Sequence, residues 1–349
     1  MVGVAVVILT FVLIMVMYPM IYGLRKIMAA MQSRIGPNRV GWQGLLQTPA
    51  DAVKLLHKED IIPRGADKWI FTLAPVIVFV PAYLVYVVIP FGKGMVASDL
   101  NIGIVYISAV SSIAIVGIVM AGWASNNKWS LLGAFRAAAQ LVAYEVPLVL
   151  GFCVPVILAG TLSLEQVVNA QAGDIRSWFI FRAWGIGVVS FMIYFVSSLA
   201  EANLTPFDIM EAESELVAGF NTEYSGMKFA LFFLAEFAVS FTLSALAVTL
   251  FFGGWQAPFA FLAYPVFGIK VPATAMLMGH SIPLEVWTDH AVQFAWFFGK
   301  SLMMVFVLFW VRATLPRVRI DQLMSLGWKF LIPVGLVNLA LAAFYIALH

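Results

Sequence analysis

An all-α, polytopic membrane fold is predicted for this 349-residue chain, and three observations carry the prediction. Mean hydropathy is +0.96. Apolar residues make up 62% of the chain and charged ones 11%, well beyond the near-half apolar usage of soluble domains. The apolar residues also fall in runs of roughly 20, each long enough to cross a ~30 Å hydrocarbon core as a helix.

About eight runs satisfy the span criterion: Val2–Ala29, Trp69–Pro90, Ile102–Trp123, Phe135–Ala159, Phe181–Leu199, Met227–Phe252, Val292–Arg312 and Phe330–Leu348. The first run has no basic segment ahead of it and is followed by Arg25 and Lys26, so it reads as a retained helix, not a cleaved signal. The expected architecture is one integral-membrane unit, residues 1–349, of tilted and partly broken helices with structured cytoplasmic loops. Three segments differ in character: a cytoplasmic amphipathic loop at 31–68, an acidic cytoplasmic loop at 201–226, and an outer-face insertion at 253–291. The insertion carries Pro258, Pro265, Pro272 and Pro283 and is expected to form short interfacial helices.

Basic residues set the orientation. Fifteen Lys and Arg fall on alternate loops and flanks, four on the other side, and Lys300 lies inside a span. The positive-inside rule puts the basic loops and the acidic loop in the cytoplasm and both termini outside. Net charge is only +2, which gives no signal for nucleic acid. The single cysteine, Cys153, lies in an apolar run and cannot form an internal disulfide or hold an iron–sulfur cluster. No dinucleotide or Walker motif occurs, and the four histidines lie in loops or at ends, so no pair is placed for haem. Any metal, flavin or other redox centre is expected on a partner.

Ionisable residues within the spans need a reason, because a charge at bilayer depth costs at least ~2.5–3.5 kcal/mol. Glu145, Glu201, Glu236 and Lys300 are such residues. They are expected to face the bundle interior, as an ion path or as structural interhelical contacts. Carboxylates that neighbour each other in a low dielectric can load and release protons near neutral pH. The stretch EANLTPFDIMEAESELVAGFNTEYS adds Asp208, Glu211, Glu213, Glu215 and Glu223, with no Lys or Arg. Glu211 and Glu215 share a helical face, whereas on a strand Glu213 joins them. Apolar residues stud this stretch, so it reads as a loop packed against something; a solvated acidic face is the plainer alternative. It holds no His, which weakens a metal reading.

In the 31–68 loop, Gly36-Pro37 stops the first helix. Leu45–Lys58 then reads as an amphipathic helix with Leu46, Ala50, Val53 and Leu56 on one side. It suits the membrane interface or the rim of an opening for an amphipathic ligand.

Four stretches, RIGPNRVGWQGLLQTPADAVKLLHKEDIIP, GWASNNKWSLLGAFRAAAQLVAYEVPL, PFDIMEAESELVAGFNTEYSGMKFALFF and RATLPRVRIDQLMSLGWKFLIPV, resemble the quinone-chamber membrane subunit (subunit 1) of respiratory complex I, NADH:quinone oxidoreductase. The resemblance covers nearly the whole chain except 253–291. It implies a subunit at the heel of the membrane arm, with no redox centre of its own and quinone as substrate. It implies partners among the other complex I subunits: peripheral-arm quinone-site and iron–sulfur subunits, and small and antiporter-like membrane subunits, all within membrane lipid. Arg25, Gln32, Arg34, Asp51, Lys54, Phe233 and Arg312 then match positions near the quinone path. Glu145, Glu201, Asp208, Glu211, Glu213, Glu215 and Glu236 match the acidic channel and its gating loop, and Lys300 is grouped with this proton path. Arg317, Arg319 and Asp321 match a basic loop at the junction with the peripheral arm. A bacterial inner membrane is the expected location, with the mitochondrial inner membrane second.

Two positions depart from the family pattern. An acid usually precedes the Arg-Lys of the first helix, where Leu24 stands here; an arginine usually stands two residues before PFD, where Leu204 replaces it. Joint loss of an ion pair would explain both, since swapping both partners for apolar residues can be neutral whereas losing one is costly. Two other functions remain open at this point. One is the homologous membrane anchor of a ferredoxin- or coenzyme-driven complex or an ion-translocating hydrogenase. The other is a stand-alone transporter, which inverted repeats would support and which the sequence does not display.

Overall fold

The computed structural model describes residues 2–183, 185–210, 217–259, 275–277, 280–282 and 284–348. Every expected span coincides with a helix. These are α1 (Val2–Met31), α3 (Lys68–Leu84, extended by a 3₁₀ turn to Val87), α4 (Gly103–Ala124), α5 (Lys128–Ala159), α7 (Ile186–Glu201), α8 (Gly226–Phe251), α9 (Leu284–Thr314) and α11 (Ile332–Leu348). Between them lie the short helices α2 (Gln47–His57), α6 (Leu164–Asn169) and α10 (Ile320–Leu326). Among the described residues, six helical segments are long and apolar enough to cross a membrane, and α7 is a shorter apolar helix.

Helix limits differ from the hydropathy limits where polar residues extend a helix beyond the oil. Helix α5 starts at Lys128, not Phe135, because Asn127 accepts a hydrogen bond from Trp129 N at 2.9 Å and caps it. Its 32 residues make a rod of about 48 Å. Helix α7 starts at Ile186, behind Gly185 at φ +91°. Helix α10 runs into α11 through a π-turn at Gly327–Leu331. Pro333 explains the widened turn: it lacks the N–H that would bond four residues back, and its ring crowds the Lys329 carbonyl.

Helix α8 is the central element. Every residue from Ser240 to Phe251 is buried, and α3, α7 and α9 pack against it. Its buried hydroxyls turn back on the helix: Ser240 Oγ donates to Glu236 O and Ser244 Oγ to Ser240 O, each at 2.9 Å. These two serines therefore satisfy their hydroxyls within the helix itself.

The loops gather at two ends. At the basic end, Lys228 pairs with Asp60 at 2.9 Å, Asn127 donates to Glu223 at 2.7 Å, and Val318 N donates to Pro206 O at 2.9 Å. At the opposite end, Ser163 donates to Asp99 at 2.9 Å and Lys93 N to Gln293 at 2.8 Å. In the 253–291 segment, where interfacial helices are expected, the described residues include an antiparallel strand pair, β1 (Ala275–Leu277) with β2 (His280–Ile282). Helix α9 begins at Leu284, eight residues before the expected span at Val292.

Candidate functional site

Glu145, Glu201 and Glu236 line one cavity of about 100 Å³. They reach it from three helices: Glu145 from the middle of α5, Glu201 as the last residue of α7, and Glu236 three turns into α8. Asn203 and Thr242 share the lining, and Val78, Ile107, Phe152 and Leu246 supply apolar wall. A water needs roughly 10–15 Å³ of such space and a few polar partners, so the cavity has room for a short file of waters between the carboxylates.

The turn after Glu201 is built for this position. Asn203 takes φ +54°, a left-handed conformation that Asn tolerates. Gln140 Nε2 fixes the turn by donating to Ala200 O at 2.7 Å and Asn203 Oδ1 at 3.2 Å. Glu201 Oε2 is buried with no protein hydrogen-bond partner. A buried carboxylate oxygen left so takes a proton or a water, because bare burial is costly.

Glu236 has a fixed counter-charge. Arg312, near the end of α9, donates to its Oε1 at 3.2 Å, and both side chains are about one-fifth exposed (20% and 18%). Asp208, in the loop after α7, pairs with Arg317 at 3.3 Å. Glu211, Glu213 and Glu215 lie outside the described residues.

The residues matched to the quinone path lie toward the basic end, on α1 and the turn after it, α2, α8 and α9. Arg25 on α1 pairs with Asp51 on α2, and Gln47 Nε2 also donates to Asp51, at 3.1 Å. Tyr18 and Tyr22 donate to Leu45 O and Gln43 O, strapping the loop to α1. Gly44 permits the tight turn before α2: its φ is +81°, and a Cβ there would lie 2.2 Å from Pro37 O. No residue of α2 is buried, and Trp42, Leu46, Val53 and Leu56 expose apolar surface. Arg34 Nε donates to Gln32 at 2.7 Å on this surface, and Lys54 is exposed. Phe233 lies on α8, its ring edge-on to Phe237 at 4.8 Å.

Among the described residues, Arg312, from the quinone set, holds Glu236, from the acidic set. Lys300 stands apart, at the opposite end, donating to Phe252 O at 2.7 Å and Gln256 O at 2.8 Å. Leu24 and Leu204 are both buried in the apolar core, 8% and 1% exposed.

Sequence reading missed several members. Gln140 carries no signal in the sequence, because its partners lie 60 and 63 residues away. The Lys228–Asp60 pair, with the ammonium 5.2 Å from the Phe71 ring centre, closes the 31–68 loop onto α8. Tyr224 stacks on Phe71 at 4.0 Å, and burial pushes its phenol above the ordinary range.

Residues 4–343 match the family model described as NADH dehydrogenase. A protein of Dehalococcoides mccartyi strain CBDB1, named as the H subunit of NADH-quinone oxidoreductase, is 50% identical over 322 residues, covering 92% of this chain and 80% of that one. Proteins of the same name from Anaeromyxobacter dehalogenans and Geobacillus kaustophilus are 49% and 48% identical, covering 89% and 91% of this chain and 74% and 86% of theirs. The chain belongs to the NADH dehydrogenase family of membrane subunits, to which the H subunits of NADH-quinone oxidoreductases belong.

Proposed function

We propose that this chain is the membrane subunit of a proton-translocating NADH-quinone oxidoreductase, forming the entrance of the quinone chamber and the first part of the proton path. The relatives' name supports the quinone-linked reading over a ferredoxin- or coenzyme-driven complex. The observation that carries the coupling role is the Arg312–Glu236 pair, which ties the quinone-side group to the carboxylate cavity. The basic end faces the cytoplasm of a bacterial inner membrane, in keeping with the positive-inside rule, and both termini lie outside.

In this reading the apolar rim of α2 and Trp42 admits the quinone tail, while Arg25, Asp51, Gln32, Arg34 and Lys54 line its polar approach. Electrons come from an iron–sulfur subunit of the peripheral arm, and reduction of quinone consumes two electrons and two protons. The charge change is felt by the loop carrying Asp208, Glu211, Glu213 and Glu215. It reaches Glu236 through Arg312 and then passes to Glu201 and Glu145 through water. Neutralising Glu213 or Glu215 in the assembled complex is expected to lower quinone-linked turnover or proton yield. Unchanged rates together with unchanged yield would remove the coupling role.

A further inference from the structure

An open pocket of about 480 Å³ lies at the basic end, with Ser125, Asn126, Asn127, Lys128 and Glu223 in its lining. At roughly 10–15 Å³ for each water, it has room for many. One turn serves both this pocket and the carboxylate cavity: Phe220 and Asn221 line the cavity, and Glu223 lines the pocket. Two residues of chain span at most about 7 Å. The turn begins as a 3₁₀ helix at Gly219–Asn221 and packs against α4 and α5. Close approach fixes it there. A Cβ at Gly133 would lie 2.8 Å from Gly219 Cα, and Ser130 Oγ donates to Phe220 O at 3.2 Å.

Rings pack around the turn. Phe232, which lines the cavity, stands edge-on to Phe220 at 5.2 Å and to Tyr224 at 4.9 Å. The Tyr224 hydroxyl is the polar exception among them, buried beside Ser125 of the pocket lining. A phenol both donates and accepts. Its oxygen can take a proton from the pocket side as its own hydrogen moves on toward the cavity, so no charge stays on it. Burial favours this neutral phenol.

Glu223 differs from the other acids at this end. It is half-buried, and its Oε1 accepts from Asn127 Nδ2 at 2.7 Å. Among the described residues it forms no salt bridge, whereas Asp60 and Asp208 are held by Lys228 and Arg317. Lys128, the base in the pocket, has its ammonium 5.7 Å from the Trp129 ring centre. A carboxylate held by a base is biased to its charged form, and one held by a neutral amide is freer to gain and lose a proton.

We propose that this pocket is the proton intake of the carboxylate cavity, with Glu223 taking protons from the water outside and the Tyr224 hydroxyl passing them between the rings toward Asn221. Protons for the cavity then enter apart from the Arg25–Asp51 group on α1 and α2, where quinone approaches. The proposal rests on the cavity being a proton path.

The test uses the assembled complex in proteoliposomes, with NADH-driven proton uptake and NADH:quinone turnover measured together. Glu223→Gln keeps an acceptor for Asn127 but cannot carry a proton. It is expected to slow uptake by about tenfold or more, since a positioned proton carrier contributes ~10²–10⁴-fold and water at the open mouth replaces part of that. Imidazole in the buffer, a small mobile acid at neutral pH, should restore turnover, which a merely structural defect would not allow. Parental rates in Glu223→Gln, or slow rates that imidazole does not raise, would each overturn the intake. Should Glu223→Gln fail to assemble, Tyr224→Phe decides, because it keeps the ring and removes the hydroxyl: slow uptake supports the proposal and parental uptake refutes it. Glu201→Gln in the same vesicles separates the two ideas. Unchanged proton yield there removes the cavity as a path, whereas a parental Glu223→Gln beside an impaired Glu201→Gln removes only the intake.

Discussion

Arg312 and Glu236 offer the sharpest test of how the two halves of the site communicate. At 3.2 Å, their gross attraction is about 5 kcal/mol for an effective dielectric near 20. Removing one member of a buried pair typically costs about 3–5 kcal/mol, since the other is left uncompensated. Each side chain here keeps about one-fifth of its surface exposed, so solvent screening lowers the expectation to about 2–3 kcal/mol. Glu236→Gln and Arg312→Met should each lower the thermal midpoint of the purified complex. The double variant should recover most of that loss, because no lone charge remains. Its proton yield per NADH should stay low, because the link is gone. Midpoints measured by fluorescence and proton uptake measured by dye quenching in vesicles form the double-mutant cycle. Additive midpoint losses in the double variant, or a restored proton yield, would refute the reasoning.

Three further outcomes follow from the geometry. Glu201→Gln keeps the shape of the cavity but removes a titrating group, so proton yield should fall at unchanged assembly; an unaltered yield counts against Glu201. Leu24→Glu alone places a charge in the apolar core and should cost at least ~2.5–3.5 kcal/mol; if the two positions once formed a pair, adding Leu204→Arg restores assembly on a native gel, and no rescue discards the idea. Asp60→Asn should cost under ~1 kcal/mol, because Asp60 is 46% exposed. Lys228→Met should cost more, since Lys228 is 12% exposed and packs over Phe71, and equal losses in limited proteolysis of the 31–68 loop would contradict that ranking.

The spans were legible because each is a local property: twenty apolar residues in a row demand a helix whatever surrounds them. Helix α2 was legible for the same reason, with a start at Gln47 and not Leu45. The beginning of α5 was not, because its first nine residues carry Lys128 and Arg136 and its start depends on a cap at Asn127. Charge at bilayer depth singled out Glu145, Glu201 and Glu236, and the fold brings these three to one cavity. The same signal could not tell Lys300 from them. Depth says that a charge needs a partner, and only the fold shows that this partner is a helix end. Pairings such as Arg312 with Glu236, 76 residues apart, leave no periodic trace. The strand pair at 275–282 was hidden by prolines that suggested broken helices.

The length of α5 has a mechanical meaning. A helix is stiff along its axis, so a push on the end that carries Lys128 travels undiminished for about 25 Å and arrives at Glu145. Two residues later comes Pro147, which lacks the N–H that would bond the Ala143 carbonyl and so weakens the rod at that point. The carboxylate thus rides at the tip of a lever, just before its joint.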